Sequence, residues 1–569
     1  MVAKKTRGRT AMPGRAAERR APPAQAGEPP AVANRAHHYE PRDFAAALFH
    51  YVRPAALRRE GERLLREGLR ILRGESELDP GRDRRFADPA FREHPFYRRL
   101  AQAYLAGSRA LEGLLAVDDE DPLRREKARL LVDHLTALAA PTNTLLGNPA
   151  ALRRAWETRG RSLLAGVVHL AQDLLRNRGF PSQVDPGAFQ VGRDLAVTPG
   201  GVVYRSEFLE LIQYAPRTGT VHQVPVFIVP PQINRFYFLD LAPGRSFVEF
   251  LLEQGFQVFV VSWKNPTPEQ GHWRLEDYVT ALERALDAAS AVGRSPRLHG
   301  LGFCAGGITL SAFASWLGHR GEGERLASLT FAVTLLDFSY PALIGILKSD
   351  FLLGISKASS KTLGVLAGDD LAMVFTLLRP RDLIWDYWVN NYLMGNPPPA
   401  FDILAWNRDS TNLPAGLHRD YLAIFDDNLL AHPGGFQVLG VPVDLGALTQ
   451  DAFVVGAVTD HLTPWKGCYR TTQLLGGRST FVLSSAGHVA ALVNPPGNPK
   501  AWYMTGPPPP PDPDDWLAAA QRRPGSWWEA WVDWAAPRSG RRVRARRTLG
   551  DRRHPVLAPA PGTYVFERA

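Results

Sequence analysis

The chain has 569 residues, of which 45% are hydrophobic and 22% are charged, a composition typical of a globular protein with several domains. Its two cysteines exclude a disulfide-stabilised scaffold and favour a reducing compartment. The net charge of +10 is concentrated at residues 1–40, which hold eight Lys or Arg against three Glu, and at residues 538–553, which hold eight Arg against one Asp. The rest of the chain is nearly neutral, so the composition indicates a basic tail and a basic loop rather than a nucleic-acid-binding body.

Three regions follow one another along the chain. Residues 1–40 are rich in Ala, Pro, Arg and Gly and lack the apolar stretch of a signal peptide, so they are predicted to form a disordered basic tail. Residues 41–185 place apolar side chains at helical spacing, which predicts a helical N-terminal domain. Residues 186–569 alternate between β-rich runs and helical stretches, which predicts a mostly parallel sheet covered by helices on both faces. No window holds 18 uncharged apolar residues, so no transmembrane segment is predicted and the protein is expected to be cytoplasmic.

Six β-rich runs form the predicted sheet of the third region. They are Val224–Pro230, Phe256–Trp263, Leu298–Phe303, Leu329–Leu336, Phe453–Val458 and Thr480–Leu483. Between the fourth and fifth runs, at about residues 338–450, the chain is dense in Trp, Tyr, Leu and Pro, which predicts a cap over the sheet rather than a loop. A Trp-rich C-terminal extension, residues 507–569, contains a predicted helical stretch from Trp516 to Trp534.

The hexapeptide Gly302-Phe303-Cys304-Ala305-Gly306-Gly307 lies between a β-rich run and a helical stretch. Strand, sharp turn and helix in this order form the nucleophile elbow of α/β-hydrolases, with Cys304 where serine is usual. In such a turn the backbone N–H of Ala305 faces a developing oxyanion, and a second N–H donor is predicted near Ile233, in the loop after the first run. The alternative is that Cys304 is a buried apolar residue before a glycine-rich helix start.

In this fold an acid and then a histidine follow the nucleophile along the chain. Asp460 comes after the fifth run and His488 after the sixth, so both lie past the carboxyl ends of strands, where open α/β sheets bind ligands. We predict that His488 is the base and that Asp460 orients it or polarises an attacking hydroxyl. His461 is the competing base, with a supporting role in its loop as the alternative.

A cysteine nucleophile is suited to acyl transfer from a thioester, because thiolate attack exchanges one thioester for another and keeps the acyl group activated. Passing that acyl group to a hydroxyl requires a site that excludes water, and the predicted cap would provide the exclusion.

The chain resembles the polyhydroxyalkanoate synthases from about residue 80 onwards. The lipase-like box of that family matches Gly302–Gly307, its Asp-His pair matches Asp460-His461, and its Ser-x-x-Gly-His segment matches Ser484–His488. Other matching stretches are Arg85-Phe-Ala-Asp-Pro, Ala140-Pro-Thr-Asn-Thr, Pro230-Pro-Gln-Ile-Asn-Arg-Phe-Tyr, Ser262-Trp-Lys-Asn-Pro, Leu378-Arg-Pro-Arg-Asp-Leu-Ile-Trp385 and Phe401-Asp-Ile-Leu-Ala-Trp406-Asn.

The resemblance implies an α/β-hydrolase fold with a cap insertion, preceded by a helical N-terminal domain. It implies an acyltransferase that joins (R)-3-hydroxyacyl-CoA units into polyester, releases CoA and becomes associated with polyester granules in the cytoplasm. Cys304 would carry the acyl group, His488 would be its base, and Asp460 would assist the 3-hydroxyl or orient His488. Trp406 matches a family tryptophan linked to dimerisation.

The resemblance further implies a homodimer that needs no metal, redox cofactor or nucleic acid, since acyl-CoA is the substrate. Features of the short-chain and medium-chain groups are mixed, so the sequence leaves the preferred monomer length open. Two alternatives remain. One is a hydrolase on the same fold, acting as a thioesterase or an intracellular polyester depolymerase, and the other is a catalytically silent granule-coating protein.

Overall fold

The computed structural model describes residues 41–116, 121–340, 360 and 363–568. The predicted basic tail lies outside these ranges, as does the first part of the predicted cap.

Seven α-helices lie in the described residues between 41 and 176. They are α1 (Pro41–Tyr51), α2 (Pro54–Arg73), α3 (Ala90–Glu93), α4 (Pro95–Leu114), α5 (Pro122–Leu138), α6 (Pro149–Glu157) and α7 (Arg161–Arg176). Proline opens several of them because the first helical N–H needs no intrahelical partner, and the side chain of Asn148 caps α6 by accepting from the N–H of Ala151 at 3.0 Å. Helix α2 packs against α4, and α1 packs against α5. The region before the sheet is therefore helical, as the apolar spacing predicts.

Eleven strands of the described chain form one mixed sheet. They are β1 (Gly200–Arg205), β2 (Leu209–Tyr214), β3 (Val226–Val229), β4 (Val258–Trp263), β5 (Leu298–Phe303), β6 (Leu326–Ala332), β7 (Ala452–Ala457), β8 (Ser479–Ser484), β9 (Trp502–Thr505), β10 (Gln521–Pro524) and β11 (Ala558–Pro559). Their spatial order is β10-β9-β8-β7-β6-β5-β3-β4-β2-β1-β11.

The six central strands, β8-β7-β6-β5-β3-β4, pair in parallel and correspond to the six predicted runs. All residues of β3, β4, β5 and β7 are buried, which explains why these strands are continuous apolar runs rather than alternating ones. The strands on both flanks pair antiparallel, so the sheet is mixed where the sequence predicts a mostly parallel one.

Helices cover both faces of the sheet. On one face lie α9 (Leu275–Gly293) and α10 (Ala305–His319), and on the other lie α8 (Phe247–Glu253) and α17 (Trp527–Ala535), each face with its own hydrophobic core. The remaining helices after β6 are α11 (Gly368–Leu377), α12 (Asp402–Arg408), α13 (Ala415–Asp426), α14 (Trp465–Leu474), α15 (His488–Leu492) and α16 (Pro513–Ala519). None of the helices in the described ranges is long and apolar enough to cross a membrane.

The insertion between β6 and β7 carries α11, α12, α13 and two π-helical turns, Arg381–Trp385 and Trp388–Leu393. It occupies the position predicted for the cap. Asp337, which directly precedes the insertion, accepts from Asn428 Nδ2 near the end of the insertion at 3.0 Å and from Arg470 Nε on α14 at 2.6 Å. Through Asn428 it ties the two ends of the insertion together.

The Trp-rich stretch after residue 507 is built into the core. It forms two helices, α16 and α17, rather than one, because β10 and Gly525, with a φ of 103°, separate them. The tryptophans Trp516, Trp527, Trp528 and Trp531 are all buried. In the basic loop at residues 538–553, Arg542–Arg544 forms a short strand paired with Thr220–His222.

Candidate active site

Cys304 lies at the turn between β5 and α10. Its backbone has a φ of 49° and a ψ of −126°, a conformation that non-glycine residues rarely adopt and that persists only when neighbours hold it. Two contacts hold it here. The N–H of Cys304 donates to the carbonyl of Ala332 at 2.9 Å, and the carbonyl of Cys304 accepts from Thr334 Oγ1 at 2.9 Å. The predicted nucleophile elbow is therefore present, with a half-buried side chain at the carboxyl edge of the sheet.

The glycines of the box permit close backbone approach on both sides of Cys304. A Cβ on Gly302 would lie 2.5 Å from the Cα of Gly307, and a Cβ on Gly306 would lie 2.2 Å from the carbonyl oxygen of Val229. Strand β5, the start of α10 and the end of β3 could not pack this closely with larger residues at these two positions. The Gly pattern that identifies the motif in sequence is thus a packing requirement of the elbow.

His488 and Asp460 meet at the same edge of the sheet, although 28 residues separate them. His488 Nδ1 donates to Asp460 Oδ2 at 2.7 Å, and the other carboxylate oxygen accepts from the N–H groups of Leu462 and Thr463, each at 2.9 Å. Because Nδ1 is engaged, Nε2 is the ring nitrogen left to exchange a proton with Cys304. The structure therefore brings Cys304 and the hydrogen-bonded pair His488–Asp460 to the same cavity.

The charges of this group shift both titrations. Burial alone would lower the pKa of His488, but the neighbouring carboxylate of Asp460 and the sulfur of Cys304 raise it well above its ordinary value. Burial opposes ionisation of Asp460, yet His488 and the hydrogen bonds from Thr463 hold its pKa below the ordinary value. Both shifts favour a proton on His488 and a negative charge on Asp460, as a base that accepts a thiol proton requires.

Thr463 is a member of this group that the sequence analysis missed. Its hydroxyl donates to Asp460 Oδ2 at 2.7 Å and lies 3.1 Å from His488 Nδ1. Nothing in a lone Thr of the sequence indicates a contact with a carboxylate three residues earlier. The turn that makes this contact becomes visible only in the structure.

His461 lines the same cavity as Cys304 and His488. Burial and the positive charge of Arg379 lower the pKa of His461 to about 4, so its ring is neutral at ordinary pH. The carboxylate of Asp460 is already occupied by His488, Thr463 and backbone N–H groups. The geometry accordingly favours His488 as the base over His461.

The two residues predicted to supply oxyanion donors lie beside the same cavity. The N–H of Ala305 belongs to the first turn of the helix, where N–H groups have no intrahelical acceptor. Ile233 lies in the loop after β3, and its N–H and that of Gln232 have no acceptor among the described residues. Both Ala305 and Ile233 line the cavity that contains Cys304. Their role as oxyanion donors stays a prediction.

A cavity of about 1150 Å³ contains the side chain of Cys304 and is lined mainly by apolar residues. Its walls come from the loops after β3, β7 and β8, from the cap helices α11, α12 and α13, and from α5 of the helical region. The cap side chains Leu371, Leu404 and Tyr421 lie in this wall. Such a cavity is large and apolar enough for an acyl chain, and the cap forms part of its wall.

Trp406, predicted as a supporting residue, also lines the cavity and is 5% exposed. Its indole N–H donates to the carbonyl of Arg235 at 2.8 Å, and its ring packs against Phe238 with centroids 5.4 Å apart. Trp406 thus packs from α12 against the loop after β3. Its link to dimerisation stays a prediction. Cys468, the second cysteine, is buried, and its thiol contacts the carbonyl of Thr463 at 3.4 Å.

No group of three or more His, Cys, Asp and Glu side chains is arranged to hold a metal ion within residues 41–116, 121–340, 360 and 363–568. The site therefore consists of a thiol, an imidazole, a carboxylate and backbone donors around an apolar cavity.

Comparison with known proteins identifies the family. The model described as "Poly-beta-hydroxybutyrate polymerase (PhaC) N-terminus" matches residues 82–251, and the model described as "alpha/beta hydrolase fold" matches residues 238–495. The chain is 46% identical to poly(3-hydroxyalkanoate) polymerase 2 of Ectopseudomonas oleovorans, over 88% of this chain and 89% of that protein. The chain belongs to the poly(3-hydroxyalkanoate) polymerase family.

Other members of the family are also similar to this chain over most of its length. Poly(3-hydroxyalkanoate) polymerase 1 of Ectopseudomonas oleovorans is 44% identical, with 88% of this chain and 89% of that protein covered. The poly(3-hydroxyalkanoate) polymerase subunit PhaC of Cupriavidus necator is 40% identical, with 86% and 84% covered. A crystal structure of monoacylglycerol lipase from Paleococcus ferrophilus is 14% identical, covers 57% of this chain and 99% of its own, and gives a TM-score of 0.32. The predicted family, the α/β-hydrolase fold and the acyltransferase class are confirmed by the family models and the polymerase relatives.

Proposed function

We propose that this protein polymerises (R)-3-hydroxyacyl-CoA into polyhydroxyalkanoate with release of CoA, and that Cys304 carries the acyl group. The observation that carries the proposal is that Cys304 and His488 line one apolar cavity and that His488 is hydrogen-bonded to Asp460. The relatives described above are named as polymerases of 3-hydroxyalkanoates, which supports the choice of substrate class.

In the acylation step His488 Nε2 takes the proton of the Cys304 thiol, and the sulfur attacks the thioester carbonyl of acyl-CoA. The N–H groups of Ala305 and Ile233 stabilise the negative oxygen of the tetrahedral intermediate. The C–S bond to CoA then breaks, and His488 returns its proton to the leaving CoA sulfur. Asp460 holds the imidazolium through Nδ1 during both transfers.

In the elongation step the 3-hydroxyl of a second acyl-CoA gives its proton to His488 and attacks the thioester on Cys304. An ester C–O bond forms, the C–S bond to the enzyme breaks, and the proton returns to Cys304. The lengthened acyl-CoA then acylates Cys304 again and releases one CoA. The cap covers the cavity during this sequence, which limits attack by water.

Every step of this sequence moves only protons and acyl groups between side chains and substrates, so we propose that the protein needs no metal or redox cofactor. Treatment with EDTA is expected to leave the rate of CoA release unchanged. Loss of activity that added divalent metal restores would contradict this part of the proposal.

We further propose that the protein acts as a homodimer at the surface of polyester granules in the cytoplasm. The support is its family membership. Sedimentation of the purified protein with and without polyester granules tests both statements, and a monomer that never sediments with granules would contradict them.

The central experiment follows the products made by purified protein from C4 and C10 (R)-3-hydroxyacyl-CoAs, measuring free thiol, polymer and free acid. We expect CoA release with polymer formation, abolished in Cys304→Ala and retained in the matched control Cys468→Ala. Release of free hydroxy acid without polymer would instead favour the thioesterase or depolymerase alternative. Undiminished turnover by Cys304→Ala would refute the role of Cys304.

A further inference from the structure

The loop that follows β3, Pro230–Arg235, is held by side chains from distant parts of the chain. The carbonyl of Pro230 accepts from the indole of Trp263 at 2.8 Å. The carbonyl of Gln232 and the N–H of Asn234 both contact Thr411 Oγ1, at 3.0 and 2.9 Å. This loop contains Ile233, whose N–H we place at the oxyanion, so we call it the oxyanion loop.

The side chain of Gln232 ties the same loop to the cap and to the elbow helix. Its amide donates to Thr309 Oγ1 on α10 at 2.9 Å, and its carbonyl oxygen accepts from the Tyr421 hydroxyl on α13 at 2.7 Å. The side of the oxyanion loop nearest Cys304 is therefore fixed by buried neutral groups.

The opposite side of the loop is fixed by a buried charge. Arg235 is 4% exposed, and its guanidinium donates to the carbonyl of Tyr564 at 3.1 Å and to the carbonyl of Glu567. It also forms an ion pair with Asp409 of the cap, with Nε 3.3 Å from Oδ1. One guanidinium thus joins the oxyanion loop, the cap and the last residues of the described chain.

The C-terminal residues that accept from Arg235 are themselves firmly held. The buried carboxylate of Glu210 on β2 accepts from the N–H groups of Thr563 and Tyr564 at 2.8 and 3.0 Å. The carboxylate of Glu567 contacts Lys264 Nζ at 3.3 Å, directly after β4. We call residues 563–567 the C-terminal clasp.

We propose that Arg235 and the C-terminal clasp position the oxyanion loop, so that the N–H of Ile233 stays aimed at the carbonyl that Cys304 attacks. Arg235 is a positioning residue in this proposal, because it contacts the loop and the clasp rather than the substrate. The proposal rests on the acyl-transfer function proposed above. It adds to that site residues that hold the oxyanion loop without contacting the substrate.

The planar guanidinium suits this position because its fork presents donors to several acceptors at once. Replacing it with glutamine would leave the buried carbonyl of Tyr564 without its donor and would remove the guanidinium from the carbonyl of Glu567, so the clasp would no longer constrain the loop. Losing a single oxyanion donor lowers turnover by about 10²–10³-fold in other acyl-transfer enzymes. Thiol alkylation forms no oxyanion, so it depends on Cys304 and His488 but not on Ile233.

This difference gives a test on the full-length protein. Arg235→Gln, Arg235→Lys and the control Arg217→Gln are compared for the burst of CoA from (R)-3-hydroxybutyryl-CoA and for alkylation of Cys304 by iodoacetamide. Arg217 is a suitable control because it pairs with Glu249 and Glu253 outside the site. We expect the burst rate of Arg235→Gln to fall about 10- to 100-fold, with a smaller loss in Arg235→Lys, little change in KM, and alkylation within about twofold of wild type in all variants.

Glu567→Ala is the second test variant, because it removes the contact with Lys264 while leaving Arg235 in place. A partial loss of burst rate with unchanged alkylation is expected. A parallel fall of burst and alkylation in the Arg235 variants would overturn the proposal, since it would show general damage to Cys304 and His488. Unchanged burst rates would overturn it as well.

An activated ester, p-nitrophenyl butanoate, separates this proposal from the proposed function. Acylation by the ester uses the same oxyanion donors whether or not acyl-CoA is the natural substrate. If the wild type reacts with the ester but not with acyl-CoA, the polymerase function fails, while the ratio of ester acylation to alkylation still decides the role of Arg235. The same loss of ester acylation in Arg235→Gln would support the clasp in that case.

Discussion

At the scale of single residues, the site depends on how Asp460 and His488 shift the pKa of each other. Asp460 raises the pKa of His488, and His488 lowers that of Asp460. Cys304, His488 and Asp460 were all predicted from sequence because each follows a β-rich run within a short motif. Thr463 was missed because its role depends on a local turn, and threonine in such a stretch has no distinctive pattern.

Asp460→Asn is expected to slow acylation of Cys304 by about 10²-fold or more, because loss of the carboxylate leaves burial to lower the pKa of His488. Burst kinetics of CoA release at neutral pH measure the effect. If acylation stays fast and only elongation slows, Asp460 acts mainly on the attacking hydroxyl.

The same pair makes stability depend on pH. The stabilisation from the raised pKa of His488 is complete below the unfolded value of 6.5 and is lost as pH rises through the folded value. The stabilisation from the lowered pKa of Asp460 is present above the unfolded value of 3.8 and is lost as pH falls through the folded value. We therefore expect the difference in unfolding free energy between wild type and Asp460→Asn to be larger at about pH 6 than at about pH 9, measured by denaturant unfolding. A difference that grows with pH would contradict this sign.

Thr463→Val keeps the shape of the side chain and removes the hydroxyl that donates to Asp460. Since a hydrogen bond to a charged group contributes about 1.5–3 kcal/mol, we expect a lower melting temperature and roughly tenfold slower acylation. Thr463→Ser retains the hydroxyl and should remain near wild type in both measurements. Equal behaviour of the valine and serine variants would show that the hydroxyl has no role.

At the scale of elements, the elbow depends on the close contact between the start of α10 and the end of β3. The six central strands were predictable because buried parallel strands are continuous apolar runs. The flanking strands were not, since β10 is exposed along its length and β11 has only two residues. Such short edges are strands only because a partner strand is present.

Gly306→Ala is expected to destabilise the protein by about 1–3 kcal/mol and to reduce acylation, because the added Cβ would meet the backbone oxygen of Val229 at 2.2 Å. The matched control is Gly318→Ala in the same helix, where a Cβ meets nothing within 4 Å. That control should be neutral or stabilising by up to about 1 kcal/mol. Thermal unfolding and burst kinetics of both variants show whether the loss depends on the position of the glycine in the helix or follows from replacing any glycine there.

At the scale of the whole molecule, the helical region and the cap are joined by buried polar contacts. Asp173 on α7 accepts from the Tyr392 hydroxyl of the cap at 2.7 Å and from the N–H of Ser182 at 3.0 Å. Trp388 of the cap donates to the carbonyl of Asn143 at 3.1 Å. The sequence predicts both regions but not these contacts, since the partners lie about 200 residues apart and carry no pattern that pairs them.

Asp173→Ala should therefore loosen the cap on the helical region. Three donors lose their acceptor: the Tyr392 hydroxyl and the N–H and hydroxyl of Ser182. An unsatisfied buried group costs about 1–3 kcal/mol, so the melting temperature should fall, and the share of free acid among the products should rise as water enters. Tyr392→Phe removes only one of these hydrogen bonds and should show a smaller change in both. A stable Asp173→Ala variant with an unchanged product ratio would show that this contact does not help to exclude water.

The pairing of β11 with β1 has a consequence for how the sheet folds. Ala558 and Pro559 lie beside Val202 and Gly201, although most of the sheet separates the two strands along the chain. Contacts between positions so distant in sequence form slowly during folding. We therefore expect the closing of this edge to be among the slow steps of refolding.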